Sequence, residues 1–115
     1  MIRKSTEMQQ EIRPQMRGGK GEVKIIKAFE KDEIKSSVRM YAVLELEPGS
    51  SIGEHIHEGE DELFYILSGT GRVTDNGACH TVTAGDSVLT GDGGSHAIEN
   101  IGNDTLRVLA TVTTY

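Results

Sequence analysis

The sequence has 115 residues, 36% of them hydrophobic and none of them tryptophan. That is enough for one modest core of Val, Ile, Leu and Ala, and it excludes two independent domains. Its 18 acidic residues outweigh 12 basic ones, for a net charge of -6, a balance that opposes binding to a phosphate backbone and so argues against a nucleic-acid partner. The only locally basic stretch, Met1 to Arg17, has no apolar run suited to a signal peptide or a membrane span, so a cytoplasmic protein with no membrane partner is expected. The single Cys79 cannot form an intrachain disulfide and fits a reducing compartment.

In chain order, residues 1–21 read as an N-terminal arm and connector, and residues 22–115 as the folded domain. Helical signal is weak: Ser5 to Arg13 and Glu30 to Ser36 carry charged, helix-tolerant residues but no sustained apolar stripe. The first stretch, ending at Pro14, is expected to be a mobile arm or a segment covering a sheet edge. Gly18-Gly19-Lys20-Gly21 lacks the spacing of a phosphate-binding loop and reads as a flexible connector into a strand at Glu22 to Phe29.

Val38, Met40, Ala42, Leu44 and Leu46 alternate with Arg39, Tyr41, Glu45 and Glu47, which predicts a half-buried strand. Leu106, Val108, Ala110 and Val112 repeat the pattern against Arg107, Leu109, Thr111 and Thr113. Asp75-Asn76-Gly77, flanked by strand-like residues on both sides, predicts a hairpin, because Asn-Gly accepts the positive φ angles that such turns need. With 14 glycines spread between short apolar runs, the chain reads as all-β.

The chemistry concentrates around the histidines. His55 and His57 are two residues apart, so on a strand both imidazoles share a face and can converge on one ion. Glu62 follows after the turn-like Glu58-Gly59-Glu60-Asp61, and His96 is a plausible fourth ligand from a distant segment. Taken alone, a His-x-His pair is often just an exposed strand feature. Glu58, Glu60 and Asp61 lack the ordered ligand positions of a calcium loop and read as a solvated turn. His80, next to the hairpin turn, is expected to be solvated, and Cys79 to be a small strand hydrophobe. Asn100 either orients ligands from the face of His96 or satisfies local backbone as a turn residue.

These residues resemble the cupins. The motif G-x5-H-x-H-x4-E-x6-G is met by Gly49, His55, His57, Glu62 and Gly69, and G-x5-P-x-G-x2-H-x3-N by Gly85, Gly93, His96 and Asn100, with Gly91 where the family usually has proline. A looser turn is expected there. The resemblance implies a single small double-stranded β-helix, or jelly roll, with His55, His57, Glu62 and His96 as metal ligands. It also implies one divalent ion per chain (Mn, Fe, Ni, Zn, Cu or Co, with manganese the first expectation) and a homodimer. Three neutral imidazoles and one carboxylate would leave a divalent ion with net positive charge, able to accept an anionic oxygen ligand such as a small carboxylate, or a sugar-like molecule.

Strand parity places Met40, Ala42, Leu44, Phe64, Ile66, Ile98, Val108 and Ala110 around the ion, and it turns no Lys or Arg clearly inward. Tyr41, Val43, Leu63, Tyr65 and Leu67, on the opposite faces, suggest a subunit interface. Two functions remain open. One is a metal-dependent enzyme of the oxalate-decarboxylase type, or a dioxygenase or sugar isomerase. The other is a non-catalytic ligand-binding or sensing module, which the shortage of proton-transfer groups favours.

Overall fold

Ten strands, arranged in two antiparallel sheets, account for most of the chain in the computed structural model, which describes all 115 residues. They are β1 (Gln9–Pro14), β2 (Glu22–Lys27), β3 (Val38–Leu46), β4 (Ser51–Ile56), β5 (Glu60–Ser68), β6 (Thr70–Asp75), β7 (Ala78–Thr83), β8 (Ser87–Thr90), β9 (Ser95–Asn100) and β10 (Leu106–Thr114). One sheet has the order β1-β2-β3-β10-β5-β8 and the other the order β4-β9-β6-β7. The all-β jelly roll and its single core are therefore present as the residue pattern implied. No helix is long and apolar enough to cross a membrane.

The two alternating segments become neighbours. β10 pairs with β3 so that Val108 lies opposite Leu44 and Ala110 opposite Ala42, and it pairs on its other side with β5, Val108 opposite Ile66. Their apolar faces turn inward together and meet Ile52, Val73, Val82 and Ile98 from the second sheet. Each such side chain withdrawn from water contributes about 1.5–3 kcal/mol. The predicted hairpin joins β6 to β7, with Asn76 and Gly77 at φ 47° and 86° as a two-residue turn of this hand requires.

The first segment is an edge strand rather than a mobile arm: β1 pairs along its length with β2 after a short 3-10 turn at Ser5–Glu7. The weakly helical Glu30 to Ser36 contains only the 3-10 turn Lys31–Glu33. Between β1 and β2 the chain makes a tight excursion over residues 15–21. Gln15 and Arg17 are both left-handed, φ 48° and 54°, at a cost of about 1–3 kcal/mol each. Close packing holds them there. A Cβ on Gly53 would run into the Arg17 carbonyl, and one on Gly19 into the Ser51 carbonyl, so the excursion lies backbone to backbone on β4. Lys20 N donates to Ser51 Oγ and Ser51 N donates to the Lys20 carbonyl, both at 2.9 Å. The connector is pinned, not flexible.

Gly91 also has a tighter role than expected. Its turn is closed by Gly94 N donating to the Gly91 carbonyl and Gly93 N donating to the His57 carbonyl, both at 2.9 Å. A Cβ at residue 91 would meet the Asp61 carboxylate, which would have to turn aside, and would lie 3.1 Å from the Glu60 carbonyl.

Candidate metal centre

The four candidate ligands come from both sheets. His55 lies on β4 directly opposite His96 on β9, His57 follows the end of β4, and Glu62 reaches across from β5 in the facing sheet. Their ligand atoms all lie within 4.8 Å of one another, a group that could hold a metal ion. Glu62 Oε1 is 2.9 Å from His57 Nε2, 3.0 Å from His96 Nε2 and 3.9 Å from His55 Nε2. The His96 Nε2 is 3.1 Å from that of His57 and 3.2 Å from that of His55. Ligand atoms bonded at about 2.0–2.2 Å to one ion and subtending a right angle there would be about 3 Å apart, so the cluster matches a shared ion in scale.

The protonation pattern points the same way. His55 Nδ1 donates to the Gly53 carbonyl and His57 Nδ1 to the Glu60 carboxylate, each at 2.7 Å. Neither acceptor can donate in return, so in the neutral rings the proton sits on Nδ1 and Nε2 presents a lone pair. His96 Nδ1 lies 2.9 Å from the Thr90 hydroxyl, which can accept in the same way. Lone pairs at 3.1–3.2 Å around a buried carboxylate repel unless a proton or a metal ion lies between them. Burial raises the Glu62 carboxyl, but where a ring proton lies between them the attraction of His55, His96 and His57 wins and lowers it to about 2. It is ionised at neutral pH.

Several positions differ from what spacing suggested. Glu60 is not solvated: Arg39 and His57 share its carboxylate, with 2.7 Å contacts to each. The Arg39 hydrogen bond is the main reason that its carboxyl is lowered to about 2, with a lesser one from His57, against the opposing effect of burial. Thr90, buried behind His96, was likewise not singled out from sequence. A carboxylate three residues after a ligand histidine, across a glycine turn, was the available signal for Glu60; Thr90 had none. Asn100 does not touch the ligands. Buried, it donates to the Leu46 and Asp104 carbonyls and accepts from Gly102 N, so it ties backbone at the far end of β9. His80 is exposed as expected, and Cys79 is exposed too rather than packed as a hydrophobe.

The apolar wall is a filled core. Of the eight residues that parity assigned to the pocket, Met40 and Leu44 border the cavity beside the ligands; the others pack behind it, with Phe64 stacked on His96 at 4.9 Å. The cavity measures about 60 Å³, bounded also by Met16, Ile52 and Val112. Arg13, Arg17 and Arg39 are also among the residues that line it, which the parity reading did not indicate.

Comparison with known proteins agrees with this fold. A family model described as "Cupin domain" matches residues 42–112. An "Oxalate-binding protein" of Thermotoga maritima is 45% identical over 112 residues, covering 97% of this chain and 93% of its own length. A crystal structure from the same organism, described as a predicted oxalate decarboxylase, superposes with a TM-score of 0.95 at 43% identity over the whole of both chains. The polyketide cyclase RemF of Streptomyces resistomycificus shares the fold at 20% identity, with a TM-score of 0.79 over 99% of this chain and 80% of its own.

Proposed function

The chain belongs to the cupin domain family, and from that premise we propose that His55, His57, Glu62 and His96 hold one divalent transition-metal ion that takes a small carboxylate at its open positions. The observation that carries the reading is the convergence of three imidazole Nε2 atoms on an ionised carboxylate while every Nδ1 is engaged from behind. When bound, the ion supplies a positive centre and Lewis acid for a carboxylate oxygen. Gly53, Glu60 and Thr90 orient the rings, and Met40, Leu44, Ile52 and Val112 keep the surroundings apolar. Manganese is the first candidate, since an oxygen-rich ligand suits a harder ion, although Fe, Ni, Zn, Cu and Co use similar shells.

A cavity of about 60 Å³ is far below the several hundred that larger ligands occupy, so it favours an acid of a few heavy atoms over a sugar. The name of the Thermotoga relative supports oxalate as the first ligand to try. Among the lining side chains, Glu62 sits among the imidazoles and the others are arginines, histidines and apolar groups, with no uncommitted acid or base. That favours binding without turnover. Calorimetry on metal-loaded protein should give one oxalate bound per chain, with no carbon dioxide evolved and no oxygen consumed. Carbon dioxide release would establish a decarboxylase instead, and the absence of oxalate binding would remove the ligand class.

Glu60→Gln should raise the metal dissociation constant about 10- to 100-fold, because the His57 ring loses the charged acceptor that aligns it. Competition with a chromophoric chelator measures this, and an unchanged constant would reject the orienting role.

A homodimer is also proposed. Tyr41, Leu63 and Leu89 fall in one cross-strand row on the outer face of the larger sheet, and Val43, Leu109 and Tyr65 in the next. Leu63, Tyr65 and Leu89 are 43–64% exposed there. Light scattering at micromolar concentration should give twice the chain mass, falling to one chain for Leu63→Asp; a monomeric wild type refutes the interface. The exposed, unpaired Cys79 suits a cytoplasmic setting.

A further inference from the structure

Arg17 is one of the residues that line the cavity, and its backbone is packed against β4. Its residue and Gln15 adopt left-handed angles, Gly19 and Gly53 admit the excursion to direct contact with β4, and half-buried Met16 packs its side chain onto the core between them. The same cavity is bordered by His55, His57 and Glu62.

The three arginines that border it are not equivalent. Arg13 is held by Glu11 and Arg39 by Glu60, each at 2.7 Å. The ion pairs of this chain engage Arg3, Arg13, Lys27, Arg39, Arg72 and Arg107, and none engages Arg17. Its side chain is exposed, so its charge is available to something that enters. A guanidinium offers two parallel N–H donors that match a carboxylate, and it does not lose its proton at any ordinary pH.

A small acid bound to the ion through one end would have its other end in a cavity that Arg17 also borders. The cavity, at about 60 Å³, keeps the two ends of any occupant close together. We propose that Arg17 is a specificity-determining residue that receives the second carboxylate of a short dicarboxylate, so that the site selects dianions over monoanions of equal size. This rests on the metal-carboxylate reading above and deepens it.

The test uses full-length protein carrying its metal, with oxalate and glycolate as probes. The two acids have similar size and can both offer two oxygens, but glycolate carries one charge fewer. Calorimetric binding is measured for wild type, Arg17→Gln and Arg17→Lys, with metal content by elemental analysis and melting temperature as controls. In Arg17→Gln the oxalate dissociation constant should rise tenfold or more while that for glycolate changes less than threefold, with metal content and melting unchanged; a charged hydrogen bond of this kind supports a loss of that size. Arg17→Lys should recover part of the oxalate affinity. Equal losses for both acids, unchanged oxalate binding, or loss of metal from Arg17→Gln would overturn the assignment while leaving the metal-carboxylate reading in place. Fully metallated wild type that binds neither acid would overturn both.

Discussion

His57→Ala is expected to lower the metal content from about one ion per chain to near zero, with the far-ultraviolet circular dichroism of the barrel retained. His57 is 3% exposed, and its Nε2 lies 2.9 Å from Glu62 Oε1 and 3.1 Å from His96 Nε2. Alanine removes one donor of four and leaves Glu60 without the ring it holds. The backbone around it stays closed, because His57 N donates to the Gly94 carbonyl at 3.0 Å and the His57 carbonyl accepts from Gly93 N. The sandwich core lies elsewhere and is untouched. Since an ion that binds only the native state stabilises it, the variant and wild type stripped with a chelator should melt at nearly the same temperature, both below the loaded wild type. Elemental analysis decides the matter: a metal-to-protein ratio equal to that of wild type would rule His57 out as a ligand.

Gly53→Ala is expected to destabilise the protein by about 1–3 kcal/mol, as overpacking of a closely fitted contact does. The φ of Gly53 is one that alanine accepts, so the effect comes from space alone. The new methyl group meets the Arg17 carbonyl, and one of the two backbones must yield. β4 is hydrogen-bonded to β9, with His55 opposite His96 and Ile56 opposite Ser95, whereas residues 15–21 rest on β4 through a few contacts. The excursion should therefore lift while β4 stays. A fall of several degrees in melting temperature, faster tryptic cleavage after Arg17, and metal content close to that of wild type are the expected results. Cleavage and melting indistinguishable from wild type would show that the contact is not tight.

The residues differ in how readable they were. The strand from Val38 to Leu46 and that from Leu106 to Thr114 have the burial that their alternation implied, since a strand segment reports its own two faces locally. The Asn76-Gly77 turn was legible for the same reason: its backbone angles are a property of two adjacent residues. Periodicity did less well with Gln9–Pro14, because an edge strand needs no apolar alternation and its pairing is supplied by β2. It also misplaced the cavity wall. Ala42, Phe64, Ile66, Ile98, Val108 and Ala110 do point inward, but inward-facing residues deep in a sandwich fill it, and only those near its open end border a cavity.

The residue types and spacing of this sequence alone establish an all-β chain with a histidine pair, a carboxylate and a distant histidine suited to one ion. The convergence of those groups belongs to the tertiary structure, which sets Glu62 on one sheet against His55 and His96 on the other. So do the support of Glu60 and Thr90 behind the rings and the placing of Arg17 among the residues that line the cavity. The reason is physical: alternation along a strand encodes which way a side chain faces, whereas distance between segments depends on register, sheet packing and two left-handed residues whose angles are imposed by a strand far away in the chain.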